Sequence, residues 1–189
     1  ILNQKEKFGL GTSLKGIKIN LEFISANPTG PLHLGHTRWA AVGDALGRTL
    51  SAAGAEVTRE FYVNDRGVQM DLFGESIRAS ALGIARPESG YQGAYIDDLA
   101  KQIKSERPDF VSLPEKESIV AFREAGYALQ LKQQQDVLER FGTHFDVWFS
   151  ERSMHEKDAI AKAMKQLKSQ GHVFEHEGAD RKSTRLNSS

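Results

Sequence analysis

Apolar and polar positions change period twice within the first third of the chain. Ile17, Ile19, Leu21 and Phe23 alternate with Lys18, Asn20 and Glu22, the period of two that predicts a strand. After a Pro/Gly-rich stretch, Trp39, Val42, Leu46 and Leu50 recur at steps of three and four, which predicts an amphipathic helix closed at Gly54. The apolar run Val57 to Val63 predicts a second strand, and Asn64 leads into a helix over about residues 66–82. Strand–helix–strand–helix is half of a parallel α/β sheet.

Pro87, Gly90 and Gly93 mark a turn-rich break over residues 86–93, beyond which the pattern is mostly helical. Ile96, Leu99 and Ile103 predict one helix ending before Pro108. Pro114 opens a longer one carrying Ile119, Phe122, Leu129, Leu138 and Phe141, with the polar run Gln133-Gln134-Gln135 read as its solvated surface. Phe145 to Ser150 reads as a short strand or extended segment, Met154 to Ser169 as a helix closed by Gly171, and His172 to Glu177 as another short strand. Residues 1–14 mix charge with Gly9, Gly11, Thr12 and Ser13, the composition of a linker entering a domain.

A chain of 189 residues can bury one good core with an appended subdomain. Lys plus Arg and Asp plus Glu number 25 each, so no bulk basic field attracts nucleic acid, and an RNA partner would need local patches. There is no cysteine, which excludes disulfides and thiolate chemistry. No apolar run reaches membrane-spanning length and the start has no secretory apolar core, so a soluble, cytoplasmic protein without membrane contact is expected.

Candidate chemistry concentrates in Ser25-Ala26-Asn27-Pro28-Thr29-Gly30-Pro31-Leu32-His33-Leu34-Gly35-His36, the loop joining the first strand to the first helix. Such a loop aims unpaired backbone N–H groups, and the positive end of the helix dipole, at an anion. His33 and His36 are three residues apart, so with a helix starting near Gly35 they flank its first turn and can face one small volume. Gly35 between them lets a planar base or a phosphate approach the backbone. Imidazoles there can donate hydrogen bonds to phosphate oxygens that gain charge when a nucleophile attacks the α-phosphate of ATP; removing one such donor costs roughly 3–4 kcal/mol in comparable sites.

By themselves the two histidines also fit an ordinary surface or capping role. A zinc site would lack the H-E-x-x-H spacing and any cysteine, and the next histidine is His144, so no protein-bound metal is expected. Glu22 near a strand end can pair a cation or lie solvated on an edge strand; Asn27-Pro28 is a turn signal. Arg38 reads as an ordinary exposed first-turn residue, and His155, His172 and His176 as surface residues. Asn64-Asp65-Arg66-Gly67 falls where an open α/β sheet places ligands, yet equally suits a turn and helix cap.

Taken together, Glu22 to Gly30 followed by His33-Leu34-Gly35-His36-Thr37-Arg38 closely resembles the catalytic domain of bacterial arginyl-tRNA synthetases, class I enzymes with the HIGH signature. Ala41 to Leu46, Val57 to Gly67 and Phe141 to Trp148 resemble the same family, so the likeness covers about residues 15–179. It implies the first half of a Rossmann-like (HUP-type) parallel-sheet nucleotide-binding domain over residues 15–85, a mainly helical acceptor-end insertion over 86–179, and a linker over 1–14 from an N-terminal domain. It implies catalytic roles for His33 and His36, ATP binding by Pro28, Thr29, Gly30, His33, Gly35 and His36, arginine binding by Glu22, Ser25 and Asn27, and an active-site wall position for Asp65. ATP with Mg²⁺, arginine and arginine tRNA are the implied substrates, and a monomer is expected. Two other readings remain on this basis: an HxGH nucleotidyltransferase or pantoate-type ligase, and a noncatalytic RNA-binding module.

The chain carries no Lys-Met-Ser-Lys-Ser-type loop, so the isolated chain is expected to be inactive. Residues 180–189 abandon hydrophobic periodicity and can be back-translated as GATCGGAAGAGCACACGTCTGAACTCCAGT, which resembles a sequencing adapter; a non-native tail is expected there, the alternative being a basic tail able to touch RNA.

Overall fold

The computed structural model describes residues 5–176 and 179–182. It divides into two units, Ile1–Ser150 and Glu151–Ser189. In the first, the alternating segments form β1 (Lys18–Glu22), α1 (Leu34–Ala52), β2 (Glu56–Val63) and α2 (Val68–Leu82). There follow α3 (Ala94–Glu106), a 3-10 turn (Pro108–Ser112), α4 (Glu115–Phe141) and β3 (Val147–Ser150). The strands make a three-stranded sheet in the order β1-β2-β3, parallel throughout, with Ile19 opposite Val57 and Phe61 opposite Trp148. The expected α/β class holds. Upstream, Gly11 N and Leu14 N donate to Ala52 O and Ala53 O at the C-terminal end of α1.

An amphipathic stripe ordinarily faces the core, and in α1 it does not. Trp39, Val42 and Leu46 are 54%, 60% and 46% exposed, whereas Ala40, Gly43 and Gly47 are buried. A Cβ on Gly43 would lie 2.2 Å from the Phe23 ring, and one on Gly47 2.9 Å from Arg59 Nε. The helix therefore lies on its small residues, because only they admit so close an approach to the sheet.

Helices α2 and α3, and α4 at Phe122 and Leu138, follow their patterns, whereas Phe141 at the end of α4 is 51% exposed. Phe73 and Ile77 of α2, Ile96 and Ile103 of α3 and Phe122 of α4 form one buried cluster. Gly74 and Gly126 let α2 and α4 meet closely: added Cβ atoms would fall 2.6 Å from Arg123 Cβ and 2.4 Å from Ile77 Cδ1. At 27 residues α4 is about 40 Å long, so its last turns reach the sheet. There Leu138 joins a second cluster with Ile24, Phe61 and Val63. Phe61 stacks on Trp148 at 4.3 Å, and Phe145 lies 4.5 Å from Phe23, which closes the lower edge of that cluster.

In the second unit the single helix expected over Met154 to Ser169 is corrected to two, α5 (Arg152–Glu156) and α6 (Ala159–Ser169). Asp158 breaks it with a left-handed φ of 54°, a conformation that aspartate tolerates better than most residues. β4 (Val173–His176) pairs antiparallel with β5 (Ala179–Lys182). The first residues of the expected tail, Asp180 to Lys182, thus join a strand, where pairing runs through the backbone and asks little of side-chain pattern; residues 183–189 lie outside the described residues. His172 is exposed and His155 partly buried, 3.9 Å from Glu151, while the side chain of His176 lies outside the described residues. Among the described residues no helix is long and apolar enough to cross a membrane.

Candidate active site

The C-terminal ends of the parallel strands converge on the loop between β1 and α1, the end at which open α/β sheets bind ligands. Leaving β1, the chain takes two consecutive left-handed non-glycine residues, Ile24 (φ 67°) and Ser25 (φ 43°). That costs roughly 1–2 kcal/mol per residue, and strain of this kind collects at functional sites. Its consequence is local: Ser25 Oγ accepts from Tyr62 N at 3.1 Å and donates to Glu22 Oε1 at 2.8 Å. Glu22 is thereby held at the sheet end, exposed. The edge-strand position and the tethered carboxylate are both present.

Further along, Asn27 is exposed and its Nδ2 donates to Gln69 Oε1 on α2 at 2.9 Å. Pro28 and Thr29 are buried, backbone included. Thr29 O accepts from Tyr95 Oη of α3 at 2.9 Å. Burial, then neighbouring Tyr91, push the Tyr95 phenol up to about 12, against a smaller opposing effect of Arg86, so it remains a donor at neutral pH.

The imidazole pair opens α1. His33 is the N-cap: its Nδ1 accepts from Gly35 N at 3.1 Å, while His33 N donates to His36 Nδ1, also at 3.1 Å. This is a reciprocal capping box with histidine in both roles. The capping role admitted by the sequence is therefore present. Because both Nδ1 atoms accept from backbone N–H groups, each neutral ring carries its proton on Nε2. The rings stack at 3.8 Å, and Trp39 lies edge-on to His36 at 5.7 Å. Burial first, then His33, hold the His36 pKa below its ordinary value, favouring the neutral stacked pair. A Cβ at Gly35 would sit 3.0 Å from His33 Cε1, so the glycine makes room for the capping imidazole.

His33 and His36 line a cavity of about 480 Å³ between the start of α1 and the last turns of α4, with Leu32, Thr37, Val137, Leu138, Arg140 and Phe141 among its walls. That volume lies within the range of small-molecule sites. Glu22, Ser25, Asn27 and Asp65 do not line it. Asp65 is 2% exposed at the end of β2, where Oδ2 accepts from Ser150 Oγ at 2.6 Å and Tyr127 Oη at 3.1 Å. It holds β2, β3 and α4 together beneath the site. Arg38 is exposed, as expected. Among the described residues no group of three or more His, Asp and Glu side chains is placed to hold a metal ion.

The reading of Gln133 to Gln135 as solvated surface holds at Gln133, which is exposed, and is corrected at Gln134. Gln134 is 1% exposed and its Nε2 donates to Asn27 O at 3.1 Å and Gly30 O at 2.9 Å. Gln130 is equally buried, donating to Gln133 Oε1 at 2.5 Å. The only sequence signal is that positions 130 and 134 lie one turn apart on the line that continues to Leu138. Their polarity hid it. Tyr95 had no signal at all.

The family profile described as "tRNA synthetases class I (R), catalytic domain" matches residues 1–181. Curated arginine--tRNA ligases from Renibacterium salmoninarum and Frankia alni are 48% and 47% identical over 179 residues, 95% of this chain but 33% and 32% of theirs. The chain thus spans about a third of the length of the curated relatives it matches. A Campylobacter jejuni structure assigned as an arginyl-tRNA synthetase superposes with a TM-score of 0.83 at 34% identity, covering 95% of this chain and 40% of that one. The arginyl-tRNA synthetase of Thermus thermophilus shares the fold, with a TM-score of 0.61 at 23% identity over 90% of this chain and 30% of its own. These matches favour a synthetase over the HxGH nucleotidyltransferases, the pantoate-type ligases and a noncatalytic RNA-binding module. With its parallel sheet, its histidine-capped helix and these relatives agreeing, the chain belongs to the class I arginyl-tRNA synthetases, within their catalytic domain.

Proposed function

We propose that this chain supplies one side of the active site in which arginine is activated by ATP and passed to arginine tRNA. The observation that carries the reading is the imidazole pair: two Nε2–H donors, fixed by backbone N–H groups on the opposite ring nitrogens, at the N-terminus of a 19-residue helix beside a cavity. In the proposed first step the arginine carboxylate attacks the α-phosphate of ATP, pyrophosphate leaves, and arginyl-adenylate forms. In the second, the terminal 2′-hydroxyl of the tRNA attacks the activated carbonyl and releases AMP. His33 and His36 donate to phosphate oxygens as charge builds on them, which is electrostatic catalysis by preorganised donors. Magnesium enters with the nucleotide as part of the substrate.

Glu22, fixed by Ser25, pairs a cationic group of arginine, and Asn27 adds a donor and an acceptor beside it. Gly30 and Gly35 give the nucleotide a close backbone surface, backed by the buried Pro28 and Thr29, and Asp65 supports the wall from beneath. In this reading residues 1–14 are a linker, 15–85 the first half of the nucleotide-binding domain, 86–179 the acceptor-end insertion apart from β3, which returns to the parallel sheet, and 180–189 a non-native tail. The protein works as a monomer in the cytoplasm, where its substrates meet.

The test is arginine-dependent exchange of pyrophosphate into ATP by a chain of the relatives' full length carrying this segment. His36→Ala is expected to lower kcat about 10²–10³-fold with a much smaller change in arginine affinity. A loss confined to affinity would overturn the transition-state role. The 189-residue chain alone is expected to charge no arginine tRNA.

A further inference from the structure

Residues 26–32 lie in no helix or strand, and within them the chain makes a turn at Pro28–Thr29. The loop that carries Asn27 and leads to His33 is instead held from outside. Tyr95 of α3 donates to Thr29 O, and Gln134 of α4 donates to both Asn27 O and Gly30 O. These contacts reach across 66, 107 and 104 residues of sequence. Within a stretch of four residues, three carbonyls are thus fixed by two side chains from the helical segment.

Both side chains are built for this grip. With two carbonyls as its neighbours, the nearer end of the Gln134 amide has to be the nitrogen, which settles its orientation. Its Oε1 is buried and has no hydrogen-bond partner among the described residues. An unpaired buried acceptor carries a desolvation cost that methionine or leucine at the same place would avoid. Gln134 therefore makes poor sense as core filling and good sense as a clamp. Tyr95 is seated equally closely: a Cβ on Gly93 would lie 2.5 Å from its ring, and one on Gly30 3.4 Å from its hydroxyl.

We infer that Tyr95 and Gln134 are positioning residues that set the backbone of the Asn27–Gly30 loop, and through it the placement of Asn27 and His33 for arginine and ATP. The inference rests on the activation chemistry proposed above, and it adds that the geometry of the site is set partly by α3 and α4. Reaction rates respond steeply to small misplacements of reacting groups, so freeing this loop acts on turnover before it acts on folding.

The experiment compares Tyr95→Phe and Gln134→Met with the unaltered chain, in a protein of the relatives' full length. It reads arginine-dependent ATP–pyrophosphate exchange, the thermal midpoint, and amide hydrogen exchange over residues 26–33. Each variant is expected to lose about tenfold to a hundredfold in kcat, with faster hydrogen exchange confined to the loop and little change in thermal midpoint. Wild-type turnover in both variants overturns the inference. So does a loss that follows the thermal midpoint while loop exchange stays unchanged, because that is a plain stability effect. If the unaltered chain itself fails to exchange pyrophosphate, the proposed function falls, and hydrogen exchange still decides whether the two side chains hold the loop.

Discussion

In the cluster of α2, α3 and α4 the large apolar residues point inward: Phe73, Ile77, Ile96, Ile103 and Phe122 are all within 1% of complete burial. In α1, which lies on the sheet, they stay outside and the glycines go in. Helix-on-helix packing filled by large side chains tolerates a separation of 8–10 Å, and here α2 and α4 approach more closely only at Gly74 and Gly126. A helix laid against Phe23 and Arg59, with no space for a Cβ at Gly43, has to come closer. The periodicity of hydrophobic residues reports a face suited to burial. Which face is buried also depends on the shape of the partner surface, and small residues leave no mark on a hydrophobic pattern.

The contrast can be broken by substitution in the 189-residue chain, followed by denaturant unfolding. The largest effect is expected in the helical cluster, where Phe122→Ala removes a fully buried ring and costs about 3–5 kcal/mol. Gly43→Val tests the opposite requirement: its new side chain enters the Phe23 ring, and a cost of about 1–3 kcal/mol is expected from overpacking. An unchanged midpoint would show that α1 can ride away from the sheet, and the account of its packing would be lost. Val42→Ser, on the apolar but exposed stripe, should move stability by no more than about 0.5 kcal/mol.

The smallest expected effect sharpens the picture at the loop end of α1. His36 titrates in the folded chain below its ordinary value of 6.5, by burial and then by His33. The unfolded chain therefore takes up the proton first as pH falls, and stability rises with pH across this window. The contribution is complete above 6.5 and is lost as pH drops through the folded value. A modest fall in thermal midpoint between about pH 7 and pH 5 should be weaker in His36→Asn; an equal fall in both would assign it to other groups.

Much of the site was legible because its parts are local. The change from period two to period 3.6 locates the β1–α1 loop, and the spacing of His33 and His36 puts both in one helical turn. The Gly35 position follows from the same few residues. The contacts that organise the loop were not legible, since Tyr95 and Gln134 reach it from 66 and 107 residues away. Gln134 was misplaced for a specific reason: a polar residue inside a polar triplet reads as solvated, although Gln130, Gln134 and Leu138 line one face of α4 and all are buried. Asp65 was legible as a strand-end residue. Its contacts with Tyr127 and Ser150 were not, because they join three separate elements.

By itself, the sequence determined the order of strands and helices in the first unit, the α/β class and the place of the β1–α1 loop with its two histidines, because each depends on residues within a turn or two of one another. The tertiary structure alone decided which face of α1 is buried, that Ser25 tethers Glu22 under Tyr62, and that helices α3 and α4 grip the loop. Those outcomes depend on which surfaces meet and how closely. Hydrogen bonds between distant side chains and carbonyls form only once packing has excluded water from around them, and no local pattern encodes that event.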